Sequence, residues 1–399
     1  MKSLTHAGFA KPKGTARLAG TVLAGTVIAG TVIAAGAAAL AGPASAAATP
    51  GGLAAGPARA VFVQTDDTAG NQIVAYHRSG DGRLTLAGTY DTGGLGGQLT
   101  GSVVDHLASQ GSLGYDPRRA LLYAVNAGSN TVSVFAVRSD RLSLRQVVGS
   151  GGTFPVSVAT RGDLVYVLNA ENGGSVQGYR VLGSRLFPIP GSTRRLGLNP
   201  GATPQFTNTP GQVAFSPDGS QLIVTTKANG DDIDVFGVSF DGRLSQRPVV
   251  NAEPGTVPFA IAFDPAGHLV IADAGTNALS TFAVSPDGTV TLLDAVGTGQ
   301  AATCWVAPDG GLLFASNAGS ATVSGYSSDP QGTLTLLGQT ATDPGTVDAA
   351  AAPGGRYLYV QTGGTGVVDE FAVGPGGSLA EVGTVTVAGA VGGEGIVAA

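Results

Sequence analysis

The chain has 399 residues, of which 64 are glycine, 22 are proline, 21 are basic and 27 are acidic. The charged fraction of 12% is about half of the ~25% that is usual for soluble domains, whereas 43% hydrophobic residues allow a large core and argue against disorder. Sparse charge with abundant glycine argues against coiled coils and helical bundles and favours short strands joined by tight turns.

The N-terminal segment has the pattern of a secretory signal peptide. A basic start with Lys2, Lys11, Lys13 and Arg17 precedes the apolar stretch 18–40, and small residues at 44–46 are typical of a cleavage site. We interpret residues 1–46 as the signal peptide and 47–57 as a flexible linker, which predicts a secreted or extracytoplasmic protein. The alternative is an uncleaved anchor, because the apolar stretch has the length to span a bilayer.

Without the leader the chain loses four basic residues, so its net charge falls from −6 to −10. This acidity opposes phosphate backbones and anionic lipids, so we expect no nucleic-acid partner and no membrane contact beyond the leader. The single cysteine, Cys304, excludes an internal disulfide and a lipoprotein anchor. Because Cys304 stands in an apolar run without a nearby histidine, we interpret it as a buried structural thiol. We expect a monomer.

One unit recurs along the rest of the chain, marked by an aromatic residue inside an alternating strand. The spacing of successive aromatics clusters near 45 residues, with two longer gaps that contain visible insertions at 94–111 and 197–209. The marked residues are Tyr76, Phe135, Tyr179, Phe236, Phe282, Tyr326 and Phe371. A repeat of this length predicts a repeat architecture rather than several independent domains.

A complete unit, such as 112–150, contains four short strands separated by turns. Asp116-Pro117 marks its first turn and Ser139-Asp140 its last, and later units carry Pro-Asp-Gly in the first turn. Proline presets one turn dihedral angle and glycine accepts a positive φ, so these are hairpin signals. Four antiparallel strands per 45 residues are typical of a β-propeller blade.

The two ends of the repeat region complement each other. The first unit lacks its innermost strand, because Ala60–Gln64 already resembles a second strand, whereas the tail Gly395–Ala399 follows a complete last unit. Pairing the tail with the first unit would remove an exposed sheet edge. The sequence therefore predicts an all-β fold, a single seven-bladed β-propeller over 58–399 whose ring is closed by the C-terminal strand.

The blade sequences resemble the lactonase-like seven-bladed propeller family, which includes 6-phosphogluconolactonases and carboxymuconate cyclase-like proteins. The resemblance lies in 122–126 (LYAVN) with 132–135 (VSVF), and in 213–219 (VAFSPDG) with 233–236 (IDVF), and it covers about 58–399. It implies hydrolysis of a lactone, in particular a sugar lactone, at the face that carries the loops around the central channel.

The family's catalytic set is a histidine before a first strand, a glutamate after the second strand of that blade, and an arginine before another first strand. By resemblance these positions correspond here to Gln212, Lys227 and the neighbourhood of Ala302. Because none of the three residue types matches, we expect other residues to carry a reaction. Glu171, after a second strand, and His106, in the first insertion, are the candidates for catalysis; the alternative for both is an ordinary solvated side chain.

Polar residues on the same face are candidates for binding a ligand. Gln212 and Lys227 lie in one blade, and four blades carry Asn or Asp where the second strand ends, at Asn126, Asn169, Asp273 and Asn317. We expect no obligatory cofactor, but oxygen ligands around one axis would suit Ca²⁺ or Mg²⁺. The alternative is turn chemistry, in which Asn and Asp bond nearby backbone groups.

Two functions remain open at this point. The first is an exported lactonase that acts on a small-molecule lactone or carbohydrate-like substrate at the channel face. The second is a non-catalytic secreted propeller that binds a small ligand, a glycan or a protein through the same face, which requires none of the family's catalytic residues.

Overall fold

The structure is a computed structural model that describes residues 59–399, so the expected signal peptide (1–46) and linker (47–57) lie outside the described residues. Within 59–399, seven small antiparallel sheets are arranged as the blades of a ring. This confirms the predicted all-β, seven-bladed propeller. The helical elements of the same range are three short 3₁₀ turns at Gln205–Thr207, Lys227–Asn229 and Pro375–Gly377, and no helix in it has the length and apolar character to cross a membrane.

The strands have the following bounds in chain order: β1 (Ala60–Gln64), β2 (Gln72–Arg78), β3 (Leu84–Asp91), β4 (Leu113–Asp116), β5 (Leu121–Asn126), β6 (Thr131–Arg138), β7 (Arg141–Gly149), β8 (Pro155–Arg161), β9 (Leu164–Asn169), β10 (Ser175–Leu182), β11 (Arg185–Pro188), β12 (Arg194–Arg195), β13 (Val213–Phe215), β14 (Gln221–Thr225), β15 (Asp232–Gly237), β16 (Val249–Ala252), β17 (Pro258–Phe263), β18 (Leu269–Asp273), β19 (Ala278–Val284), β20 (Val290–Gly297), β21 (Thr303–Asp309), β22 (Leu312–Asn317), β23 (Thr322–Ser328), β24 (Leu334–Ala341), β25 (Thr346–Ala351), β26 (Tyr357–Thr362), β27 (Val367–Val373), β28 (Leu379–Thr386) and β29 (Ile396–Ala398).

Blade one has the order β29-β1-β2-β3, and the six other blades follow the chain from their inner to their outer strand. These are β4–β7, β8–β12, β13–β16, β17–β20, β21–β24 and β25–β28 for blades two to seven. First strands of neighbouring blades contact one another, as β4 does with β8 and β21 with β25, so the first strands surround the axis.

The ring closes as the sequence predicted. β29 pairs antiparallel with β1, with Val61 opposite Ala398 and Val63 opposite Ile396. Backbone hydrogen bonds on both sides of this ladder, from Gln64 to Gly395 (2.8 Å) and from Ala399 to Ala60 (2.8 Å), extend the pairing. The closing strand thus gives β1 a partner on its inner edge, which would otherwise be exposed.

The recurrent aromatic residues lie in the hydrophobic cores of the blades. All seven are buried, at 0–3% exposure, on the third strand of their sheet. In five blades the pairing of the third with the fourth strand shifts register directly before the aromatic residue, at Tyr76, Phe135, Phe282, Tyr326 and Phe371. Such a bulge adds twist to the strand pair, so the aromatic marks a local change of blade geometry as well as a core position.

Blade three differs from the four-strand expectation. Its outer edge is divided into β11 and β12, which both pair with β10. Pro188 and Pro190 flank the interruption, and proline cannot donate to a strand ladder. The backbone of Ile189 instead donates to Gly178 (2.9 Å).

The first insertion crosses the central channel. Ser109 donates its hydroxyl to Val156 O of blade three (2.9 Å), and its own carbonyl accepts from the Trp305 indole of blade six (2.7 Å). Gln110 exchanges two side-chain hydrogen bonds with the backbone of Val306, at 2.9 and 3.0 Å. The segment therefore reaches from blade three to blade six beside the inner strands.

Candidate functional site

A small pocket lies beside this insertion, on the face where second strands end. Its volume is about 190 Å³, which is below the ~300–1,000 Å³ of pockets for drug-sized ligands, so it fits a single small ring. The charged side chains of Asp105 and Lys227, the hydroxyls of Ser102 and Thr207 and the thiol of Cys304 lie among apolar walls. Those walls are Val103, Val104, Ala108, Phe206, Val257, Phe259, Ala274, Ala302, Trp305 and Ala318.

Trp305 and Phe259 form the rigid part of this wall. Their rings meet edge to face, with centroids 5.2 Å apart, in the geometry that aromatic pairs favour. The Trp305 indole N–H is held by Ser109 O, so the ring has a fixed orientation. The pocket is therefore preformed along blades five and six.

Lys227 is almost fully buried, at 1% exposure. Its ammonium donates to Ala108 O (2.5 Å), Phe206 O (2.7 Å) and Thr209 Oγ1 (3.2 Å), and it lies 5.1 Å from the centre of the Phe259 ring. Burial lowers its pKa, while the Asp105 carboxyl opposes that shift. All three ammonium protons are donated in these hydrogen bonds, which connect the first insertion (94–111) to the second (197–209).

Asp105 is held by the turn that follows it. Its carboxylate oxygens accept from the backbone N–H groups of Leu107 (2.8 Å) and Ser109 (2.9 Å). Burial raises its pKa, and these hydrogen bonds with the charge of Lys227 oppose the rise. Asp105 and Lys227 thus lie in one buried site in which each favours the charged form of the other.

Further carboxyl groups are buried near Asp105. Asp66, Asp348 and Glu394 have exposures of 0–3%, and burial raises the pKa of each, to about 7 for Asp66. Glu394 Oε1 accepts from Gly111 N at 2.9 Å, whereas its Oε2 has no hydrogen-bond partner among the described residues. Their negative charges would repel one another, and Lys227 is the single cation near them among the described residues. Both conditions favour the neutral forms of these carboxyl groups.

The Asn and Asp residues at strand ends serve the blades. Asn126 donates to Ser133 Oγ (2.9 Å) and Asn317 donates to Ser324 Oγ (3.0 Å), while Asp273 accepts from Ser280. Each serine lies seven residues further, on the third strand of the same blade.

The fourth residue of this set, Asn169, donates to Ser150 O at 3.3 Å. The serine contacts run across strands, whereas Asn169 bonds a backbone carbonyl and Asn317 also donates to Ala315 O, two residues away (3.4 Å). Among residues 59–399, no group of three or more His, Cys, Asp or Glu side chains is arranged to hold a metal ion.

Of the eight residues selected from the sequence, Lys227 is the one that lines the pocket. Glu171 is partly exposed and accepts from Gln205 Nε2 of the second insertion (3.0 Å). Gln212 accepts from Ile261 N of blade five (2.5 Å).

His106 belongs to the inserted segment, and its half-buried ring has a pKa lowered by burial. An added Cβ at Gly392 would come within 2.1 Å of the ring, so only glycine allows this approach. The Nδ1 atom of His106 has no hydrogen-bond partner in the described chain. The catalytic and binding roles given to these eight residues stay predictions.

The sequence offered a signal for only part of the pocket. Asp105 is adjacent to His106 in the insertion, and Trp305 stands near the start of a first strand, but the sequence alone assigns a role to neither. A carboxylate followed by N–H donors two and four residues later is a visible turn motif. Its proximity to Lys227, 122 positions away in the sequence, had no local signal.

No protein-family model matches the chain, and no curated protein sequence does. Solved structures do match. A presumed 6-phosphogluconolactonase from Bacteroides fragilis is 20% identical with a TM-score of 0.69, covering 85% of this chain and 98% of its own. A presumed 6-phosphogluconolactonase from Bacteroides uniformis is 20% identical with a TM-score of 0.68, covering 86% and 99%.

The periplasmic gluconolactonase PpgL of Pseudomonas aeruginosa is 19% identical with a TM-score of 0.66, covering 85% of this chain and 98% of its own. The fold of residues 59–399 is therefore the propeller of lactonase-like proteins, as the resemblance of the blade sequences implied.

Proposed function

We propose that the protein is an exported lactonase-like hydrolase that opens a small lactone in the pocket of Asp105 and Lys227. The observation that carries this proposal is a buried carboxylate and a buried ammonium on the walls of one small, preformed, largely apolar pocket. Solved structures with this fold include proteins described as gluconolactonases, which supports the same class of substrate.

Asp105 and Lys227 have complementary roles in ester hydrolysis. The Asp105 carboxylate accepts a proton from water as its oxygen attacks the lactone carbonyl carbon. The Lys227 charge stabilises the oxyanion through its field, because its N–H bonds are used by the two insertions. When the ring C–O bond breaks, the leaving alkoxide takes the proton back from Asp105, and the product is a hydroxy acid.

The walls of the pocket favour a particular kind of lactone. Most of the wall is valine, alanine, phenylalanine and tryptophan, which would desolvate the hydroxyl groups of an aldonolactone without bonding them. The Ser102 and Thr207 hydroxyls already donate to Leu99 O and Pro204 O. We therefore expect a lactone with a hydrocarbon face to be preferred over the sugar lactone that the resemblance implies.

The test is turnover of δ-valerolactone, γ-caprolactone and D-glucono-1,5-lactone by the purified protein. The release of acid measures the rate. We expect the alkyl lactones to be preferred and Asp105→Asn to lose about 10²–10⁴-fold in rate. The rate should rise as Asp105 ionises, which its raised pKa places at a higher pH than for an ordinary aspartate.

Asp234→Asn is the matched control, because Asp234 is a buried carboxyl of blade four, outside the pocket, whose pKa burial raises to about 7. Equal losses in the two variants, or a preference for the sugar lactone, would contradict the assigned site.

A non-catalytic binding protein is the second candidate, and one observation favours it. The three ammonium protons of Lys227 are already donated within the protein, so no N–H remains for an oxyanion. Lactone binding by calorimetry without turnover, in the wild type at all pH values from 6 to 9, would establish this function instead.

Export is the third part of the proposal. It rests on the basic and apolar leader at 1–46, and the similar PpgL is a periplasmic protein by its description. Mass spectrometry of protein from the extracytoplasmic fraction should give Ala47 as the first residue. An intact leader in the membrane fraction would favour the anchor.

A further inference from the structure

A second cavity lies on the opposite face of the ring, where the turns between first and second strands are. Its volume is about 620 Å³. It lies at the seam of the propeller, with Pro353 of blade seven, Ala398 of the closing strand and Pro117 of blade two on its walls. It is remote from the pocket of Asp105 and Lys227 and independent of the function proposed for that pocket.

Three arginines meet in this cavity: Arg59 before β1, Arg78 at the end of β2, and Arg356 before β26. None of them forms an ion pair with a carboxylate of residues 59–399, including that at Ala399. Residues 1–58 contain no aspartate or glutamate, so that part of the sequence cannot supply a partner either. In an acidic protein, three unpaired guanidinium groups in one cavity are a local concentration of positive charge.

Contacts of the backbone and of one aromatic ring order part of the cavity wall. Arg356 stacks on the Tyr357 ring at 5.9 Å, and the Tyr357 hydroxyl donates to Gly80 O (2.8 Å). The backbone of Arg78 donates to Arg59 O (2.8 Å). These contacts order the backbone beside Arg59 and Arg78 and the Tyr357 ring beneath Arg356, which reduces part of the entropy lost on binding.

Arg78 also carries a donor without an acceptor. Its Nε is buried and has no hydrogen-bond partner among the described residues. A buried guanidinium N–H without a partner is costly, and an anionic oxygen would satisfy it with a charge-assisted bond.

We infer that this cavity binds an organic anion with two or more carboxylate or phosphate groups. Three guanidinium groups match several oxyanions at once, and the cavity is larger than one inorganic ion requires. Because its walls come from both sides of the β29–β1 seam, a bound anion would stabilise the closed ring by mass action.

The test uses citrate and pyrophosphate as probes, with acetate and glucose as controls, at constant ionic strength. Calorimetry should show saturable binding of at least one polyanion and none of the controls, and that polyanion should raise the melting temperature. Whichever probe binds more tightly identifies the preferred group. Equal effects of citrate, pyrophosphate and acetate would overturn the inference, as would binding only to a long acidic polysaccharide.

Arg78→Gln should weaken binding about tenfold or more, because it removes a charge-assisted contact. Arg185→Gln is the matched control, since Arg185 is an exposed arginine on β11 of blade three and its loss changes the net charge equally. Arg59→Gln and Arg356→Gln, at exposed positions, give the same test if Arg78→Gln does not fold. Equal affinities in the site variants and in Arg185→Gln would contradict the assignment.

Discussion

The ammonium nitrogen of Lys227 lies 2.5 Å from the carbonyl oxygen of Ala108, 119 residues away in the chain. Its other two protons go to Phe206 and Thr209 of the second insertion. One buried cation therefore joins both insertions to the turn that follows β14, on the wall of the proposed site.

We predict that Lys227→Met loosens both insertions. The variant leaves a buried carbonyl group, Ala108 O, and a partly buried one, Phe206 O, without this donor. It also relieves the cost of burying an ammonium, so we expect a net loss of about 1–3 kcal/mol in the free energy of unfolding. Hydrogen exchange at 99–110 and 199–209 should rise more than in the blade strands. Urea denaturation and exchange measured by mass spectrometry check both parts.

Thr209→Val is the matched control for this prediction. It removes the acceptor of the weakest of the three contacts, at 3.2 Å, and conserves shape. We expect a loss below about 1 kcal/mol and little change in exchange. An effect as large as that of Lys227→Met would indicate that packing of the second insertion, rather than the ammonium, is decisive.

We predict that Glu394→Gln makes stability less dependent on pH. Burial and the nearby carboxyls raise the pKa of Glu394 well above its ordinary value of 4.5. The folded state then holds a proton that the unfolded state releases, so this contribution is complete below pH 4.5 and is lost as the pH rises through the folded pKa. Glutamine keeps the Oε1 acceptor for Gly111 and carries its own protons.

Urea denaturation at pH 5 and pH 8 tests this prediction. The difference in free energy of unfolding between the two pH values should be smaller in Glu394→Gln by at least about 1.4 kcal/mol, the equivalent of one pKa unit. Other buried carboxyls, such as Asp66, remain and preserve part of the slope. Identical slopes in variant and wild type would show that Glu394 is ionised in the folded protein.

We predict that the thiol of Cys304 is nearly inert in the folded protein. Burial raises its pKa from 9.0 to about 12, and only the thiolate reacts. The thiolate fraction at neutral pH is then about a thousandfold lower than in the unfolded chain. Because the sequence has one cysteine, the release of thionitrobenzoate from Ellman's reagent reports on this site alone. Cys304 is partly exposed on the pocket wall, so the raised pKa is what protects it. The urea-unfolded protein is the control, and similar rates in both states would contradict the raised pKa.

The fold could be predicted from the sequence because its information is local and repeated. The aromatic residue of each blade and the proline–glycine turns recur with a period near 45, and each marks an element of one sheet. The closing strand could be predicted because the first unit lacks its innermost strand. The division of blade three at Ile189 was missed, although Pro188 and Pro190 give its physical reason.

The candidate site was less predictable because its contacts join distant segments. Lys227 was selected for its position after a second strand, but its partners lie on insertions whose paths have no repeat to guide them. Asn126 and Asn317 occupy the strand ends that were predicted, yet they bond Ser133 and Ser324 across the sheet. A position on the correct face therefore did not establish that a side chain points into a pocket.

The last prediction concerns the seam, where the sequence and the structure agree most directly. Ile396 of β29 is buried, at 4% exposure, and packs in the cluster that contains Val61 and Tyr359. Ile396→Ala should cost about 2–5 kcal/mol and Ile396→Val about 0.5–1.5 kcal/mol, because the larger truncation leaves the larger cavity. Removal of residues 396–399 should cost more than either and promote association, since it exposes the edge of β1 to pairing with other chains. Thermal denaturation with light scattering measures both effects. A truncated chain that melts like the wild type and stays monomeric would show that the blades hold together without the closing strand.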